Sequence, residues 1–143
     1  MERNPAKLYA FAVGAALVIV GVIGFFYNAA FTDDKSARDA VFGILDVNGW
    51  DNVFHIATGV LGLLAFGAGS HAARTFAYAL GVVYILVAVW GFIIGGGDSI
   101  LSIIPVNTED NFLHLLIGIA GAGAGLATPA TQAPSTTEAT AAV

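Results

Sequence analysis

Four long apolar runs, at residues 8–27, 51–69, 73–95 and 111–127, constrain this chain more than anything else in it. An α-helix rises about 1.5 Å per residue and the hydrocarbon core of a bilayer is about 30 Å thick, so each run is close to one membrane crossing in length. A segment in lipid must satisfy its own backbone polar groups, and a single run does so as a helix. The runs fill more than half of the 143 residues and leave no stretch long enough for a separate soluble domain. Charge agrees: 10% of the residues are charged, against about 25% in a soluble domain. The expected fold is an all-α membrane protein, four transmembrane helices in an antiparallel bundle over residues 1–127. Residues 128–143, rich in Pro, Thr and Ala, are expected to form a disordered tail.

The sparse charges narrow the partners. The net charge is −5 and there is no Lys/Arg cluster to track a phosphate backbone, so nucleic acid is not expected as a partner. The lipid bilayer is. Cysteine does not occur, which removes disulfides, thiolate metal sites, iron–sulfur ligation and covalent haem attachment. The first run follows Arg3 and Lys7 and exceeds the roughly 7–15 apolar residues of a signal-peptide core, so it reads as an uncleaved anchor. Arg3, Lys7 and Arg74 fall on one side of the membrane. Lys35 and Arg38 fall on the other, among Asp33, Asp34, Asp39 and Asp46. The positive-inside tendency then places both termini in the cytoplasm of a cell whose inner membrane holds the protein.

The second and fourth runs open on the same polar pattern, Asn-x-x-Asp-Asn-x-x-His-x-x-x-Gly-x-x-Gly. Asn48, Asp51, Asn52, His55, Gly59 and Gly62 return as Asn107, Asp110, Asn111, His114, Gly118 and Gly121, each 59 residues on (107 − 48, 114 − 55, 121 − 62). The preceding loops keep that offset through Asp39/Asp98, Ile44/Ile103 and Val47/Val106. The first and third runs align at an offset of 67, Gly14 with Gly81 and Gly24 with Gly91, the difference being an eight-residue insertion in the first loop. The unit is a helical hairpin, used at about 8–69 and again at about 73–127. Two spans per unit send both copies into the membrane in the same direction, as parallel repeats about a pseudo-two-fold axis along the membrane normal. Both motifs then face outward.

Between the runs, residues 28–48 are expected to hold a short amphipathic surface helix, capped by Thr32 or Asp33, with Ala37, Val41, Ile44 and Leu45 on one side. Residues 98–107 read as a plain loop, and 70–74, with His71 and Arg74, as a tight basic turn. Gly14 and Gly21, a heptad apart, and Gly91 and Gly95, in a small-xxx-small pattern, mark faces for close helix packing within the chain, in a homo-oligomer, or against a membrane-protein partner.

The duplicated motif has several readings. Asn48 and Asn107 suit N-cap positions, with Asp51 and Asp110 at N3 as in a capping box, facing the positive end of the helix dipole. His55 and His114 lie one turn beyond those aspartates, on the face that carries Gly59/Gly62 and Gly118/Gly121. A histidine inside a membrane helix is costly and usually has a partner or a function. Two inward imidazoles at matched depth suit axial haem ligation, and with Asp51 and Asp110 they make a nitrogen–oxygen set for zinc, copper, manganese or iron. Paired Asp and His groups also suit a proton or small-solute path through an oligomer. No Ser–His–Asp arrangement and no phosphate-binding glycine loop occurs, so no enzyme is expected.

The opening of span two at residues 47–55, Val-Asn-x-x-Asp-Asn-x-x-His, with its echo at 106–114 before a glycine-studded span, resembles a bacterial family of small four-span membrane proteins known only as a domain of unknown function. The likeness covers residues 6–127. It implies four spans and brings no activity with it. The expected role is a non-enzymatic scaffold or accessory subunit of a membrane assembly; the alternatives are a bis-histidine metal or haem protein and a proton or solute pathway.

Overall fold

The structure is a computed structural model that describes residues 4–37, 39–95 and 97–130. The charges assigned to Arg3 and Arg38 and the tail beyond residue 130 lie outside the described residues. Four helices carry the fold: α1 Pro5–Tyr27, α2 Gly49–Ala68, α3 Ser70–Ile94 and α4 Thr108–Ala127. Each is long and apolar enough to cross a membrane, and the chain is accordingly a multi-pass membrane protein. Large apolar side chains stay exposed along all four, among them Phe26, Leu64, Leu86 and Leu116, which suits a surface in contact with lipid.

Local chemistry fixes the helix ends. Asn4 caps α1 by accepting the Lys7 N–H, and Pro5 occupies the first position, where no N–H is needed. Gly69 alone joins α2 to α3, at φ +110°, a conformation that side-chain-bearing residues rarely adopt. The expected basic turn at 70–74 is therefore the first turn of α3, because one glycine reverses the chain. Gly95 is likewise corrected: it is the C-cap of α3, at φ +85°, and a Cβ built there meets nothing within 4 Å. It ends a helix, and among the described residues no close helix approach is seen there.

Residues 28–48 also differ from expectation. A 3₁₀ turn at Lys35–Ala37 is followed by an antiparallel hairpin, β1 Asp39–Val41 with β2 Leu45–Val47, in which Asp39 faces Val47 and Val41 faces Leu45. The supposed plain loop at 98–107 is a second hairpin, β3 Asp98–Ile100 with β4 Ile104–Val106. Of the apolar residues that suggested a helix face, Val41 and Leu45 are cross-strand partners in the hairpin, Ile44 lies in its turn and Ala37 in the 3₁₀ turn. Val41 and Val47 point inward and are buried, as are Ile100 and Val106. Left-handed backbone at Phe42 and Gly43 turns the first hairpin, and a helix cannot run through it. Ahead of it, the Asp34 carboxylate accepts both the N–H and the O–H of Ser36, and these two bonds hold its pKa below the usual carboxylate value.

Packing joins α1 chiefly to α2 and α3 chiefly to α4. In lipid no hydrophobic drive separates helix from solvent, so close backbone approach matters more. The backbone of Gly14 lies against Gly59 and Gly62, and that of Gly81 against Gly118 and Gly121. Gly21 lies against the backbone of Asn52 and Ile56. A small-residue core of Ala6, Ala10, Ala73 and Ala77, with Tyr9 and Tyr84, joins the halves. The ordered chain extends past α4: the Thr128 hydroxyl accepts the Ala6 N–H and donates to the Ala124 carbonyl, so this residue belongs to the fold and not to the tail. Asn4 donates to Ser70, and the Arg74 guanidinium donates to the Gly125 carbonyl. The start of α1, the Gly69 turn and the end of α4 thus share one end of the bundle, opposite the hairpins.

Candidate functional site

At the hairpin end, both motif asparagines do more than cap. The Asn48 side chain accepts the Asp51 N–H and donates to the carbonyls of Thr32 (3.0 Å) and Ile103 (2.7 Å). Asn107 accepts the Asp110 N–H and donates to the Ile44 carbonyl (2.7 Å). Each cap therefore reaches across to the other hairpin: Asn48 holds Ile103 and Asn107 holds Ile44. An amide suits this work because one end accepts and the other donates.

Asn52 and Asn111, one residue beyond each aspartate, are buried. Asn52 donates to the Asn28 carbonyl, and Asn28 in turn donates to the Val47 carbonyl. The side-chain oxygens of Asn52 and Asn111 accept no conventional hydrogen bond and sit directly over Gly24 and Gly91, where a Cβ would collide with them. Glycine is required there for space, and its Cα–H is the weak donor left facing each oxygen. The pairs Gly24/Asn52 and Gly91/Asn111 stand at the offsets of 67 and 59 noted above.

The aspartates diverge. Asp110 completes a capping box through the Asn107 N–H and also accepts the Asp46 N–H at 3.1 Å. The position matching Asp46 in the other half is Pro105, which has no N–H to give. Asp51 lies instead 3.2 Å from Nδ1 of His55, within ion-pair distance although the ring nitrogen is not aligned for a hydrogen bond. His114 has no such neighbour: its Nδ1 is buried and without a hydrogen bond, while its ring meets Tyr84 edge to face at 5.0 Å.

Both histidines line two cavities. One, about 130 Å³, lies between α2 and α3, with Asp51, Thr58 and Tyr84 in its wall and Ile104 of the second hairpin over it. The other, about 140 Å³, lies between α1 and α4, with Asp110, Leu17 and Ile117 in its wall and Leu45 of the first hairpin over it. Tyr84 and both histidines are shared by the two cavities; the first adds Thr58, which corresponds to Ile117 in the wall of the second.

These dimensions bear on the metal and haem readings. Among the described residues no group of three or more His, Asp or Glu side chains is placed to hold a metal ion. Asp51, His55, Asp110 and His114 do not converge as a four-ligand set, because Asp110 is occupied by hairpin amides. A cavity of about 150 Å³ accommodates benzene, so neither cavity has room for a porphyrin. Tyr84, Thr58, Asn28 and Pro105 were not singled out from sequence as site residues; a comparison of the halves at their unmatched positions would have found three of them. Gly14, Gly21, Gly59, Gly62, Gly91, Gly118 and Gly121 all make close contacts within the chain.

No curated protein and no solved structure matches the chain. A protein family does: DUF4383, a domain of unknown function, matches residues 7–127, from the first turn of α1 to the last residue of α4. The chain belongs to the DUF4383 family.

Proposed function

We propose that this protein is a non-enzymatic membrane scaffold or accessory subunit, whose duplicated Asp-Asn-x-x-His motif fastens one end of a four-helix bundle. The observation that carries this reading is the exchange of Asn48 to Ile103 and Asn107 to Ile44, which commits the motif's amides to backbone partners in the opposite hairpin. The two helical hairpins act as copies about an axis along the membrane normal, a view supported by contacts that recur at fixed offsets. We place the protein in a bacterial inner membrane with the hairpins outward. Lys7 and Arg74 stand at the opposite end, while Lys35 at the hairpin end is matched by Asp98 at 3.4 Å.

Elemental analysis of gently purified protein, beside the His55→Ala/His114→Ala double variant, tests the scaffold reading. The expected result is no stoichiometric metal in either sample and lower thermal stability in the variant. Near-stoichiometric metal that vanishes in the variant would replace the scaffold with a bis-histidine metal site.

A further inference from the structure

The cavity between α2 and α3 shares both histidines and Tyr84 with its counterpart and adds Thr58. Its apolar wall includes Phe54 and Val83, whose side chains are about half exposed on the outside of the bundle. In a multi-pass chain that rim opens toward lipid. Its depth is shallow: His55 is six residues past the start of α2, which is about 9 Å along the helix. Its inner wall holds Thr58, Tyr84 and both histidines. Among the described residues the Nδ1 atoms of His55 and His114 are both buried without a hydrogen bond. His55 has the Asp51 carboxylate at 3.2 Å, while Asp110 takes the amides of Asp46 and Asn107 on Oδ2 and makes no such approach to His114. A buried polar nitrogen left without a partner is a group to which a ligand's own polar atom would bind favourably. The volume, about 130 Å³, is close to the roughly 150 Å³ that accepts a benzene ring.

We propose that the α2–α3 cleft binds the hydroxyl-bearing ring of a membrane-soluble phenol or quinol, entering from the bilayer, with the His114 imidazole holding the hydroxyl. A hydroxyl both donates and accepts, so it matches an imidazole in either tautomer. The ring lies among Phe54, Val83 and Val87, and the Tyr84 ring fixes the orientation of His114 from the side. The α1–α4 cleft presents Ile117 where this one has Thr58, and it is the weaker site for such a ligand.

The test uses full-length protein in lipid nanodiscs with ¹⁵N-labelled histidine and two probes, p-cresol and toluene, which differ by one hydroxyl. p-Cresol is expected to shift the His114 imidazole resonances saturably, and toluene to leave them in place. Thr58→Ile/Tyr84→Leu, which makes this cleft's wall apolar at both positions, is expected to weaken p-cresol binding at least tenfold. Thr58→Ile alone provides the same test with smaller disturbance of the fold and is expected to weaken binding at least threefold. Equal responses to the two probes would overturn the proposal, as would p-cresol binding that is unchanged in the folded variants.

Discussion

A single proline separates the two copies of the site. Because Pro105 has no N–H, Asp51 turns to His55, whereas Asp46 offers its amide to Asp110 and leaves His114 alone. Pro105→Ala restores the missing donor, and the expected outcome is a change in the imidazole ¹⁵N resonances of His55 with those of His114 unmoved. The asparagine caps separate in the same way. Asn48→Ala removes an N-cap and two side-chain donors at a buried position, and should cost about 2–4 kcal/mol in reversible unfolding. Asn48→Asp keeps the cap acceptor and loses the donors, so it should recover part of that loss, leaving Ile103 unpartnered. At this scale the sequence made the identities legible and the environments illegible. Asn, Asp, Asn and His repeat at one spacing, but their neighbours at 46/105, 58/117 and 17/84 do not, and the chemistry differs there.

At the scale of elements, the four helices were readable because length and hydropathy alone decide a membrane span, whereas the start of α3 at Ser70 was read as a turn. The hairpins were not. A run such as Val41, Ile44 and Leu45 is too short to tell a period of two from one near four, and the turns signal weakly: the first has one glycine, Gly43, beside a left-handed Phe42, and the second, at left-handed Leu101 and Ser102, has neither glycine nor asparagine. Helix contacts give a sharp contrast among glycines. Gly24→Ala and Gly91→Ala drive a Cβ into the Asn52 and Asn111 oxygens, and each should destabilise the protein by about 1–3 kcal/mol. Gly123→Ala, in the interior of α4 with nothing within 4 Å of the added carbon, should be neutral or stabilising by up to about 1 kcal/mol. Thermal unfolding of the three variants in one detergent checks the order.

For the whole molecule, the two ends carry different chemistry. The hairpin end gathers Asp33, Asp34, Asp39, Asp46 and Asp98, and the other end carries Lys7 and Arg74. A chain free of cysteine allows orientation to be read from single introduced thiols. Asp34→Cys should react with an impermeant maleimide on intact cells and His71→Cys only after lysis; the reverse pattern would invert the assignment.

The exchange of caps between hairpins also sets an order of assembly. Asn48 finds its Ile103 partner 55 residues later in the chain, and Ile44 waits for Asn107, 63 residues on. A ribosome that has released only the first two helices has therefore exposed an Asn48 amide with only its Thr32 partner in place and an Ile44 carbonyl still waiting for Asn107. The hairpin end of the bundle latches only when the second hairpin emerges, and a nascent chain stalled before residue 103 carries an open end that water or an insertion factor must cover.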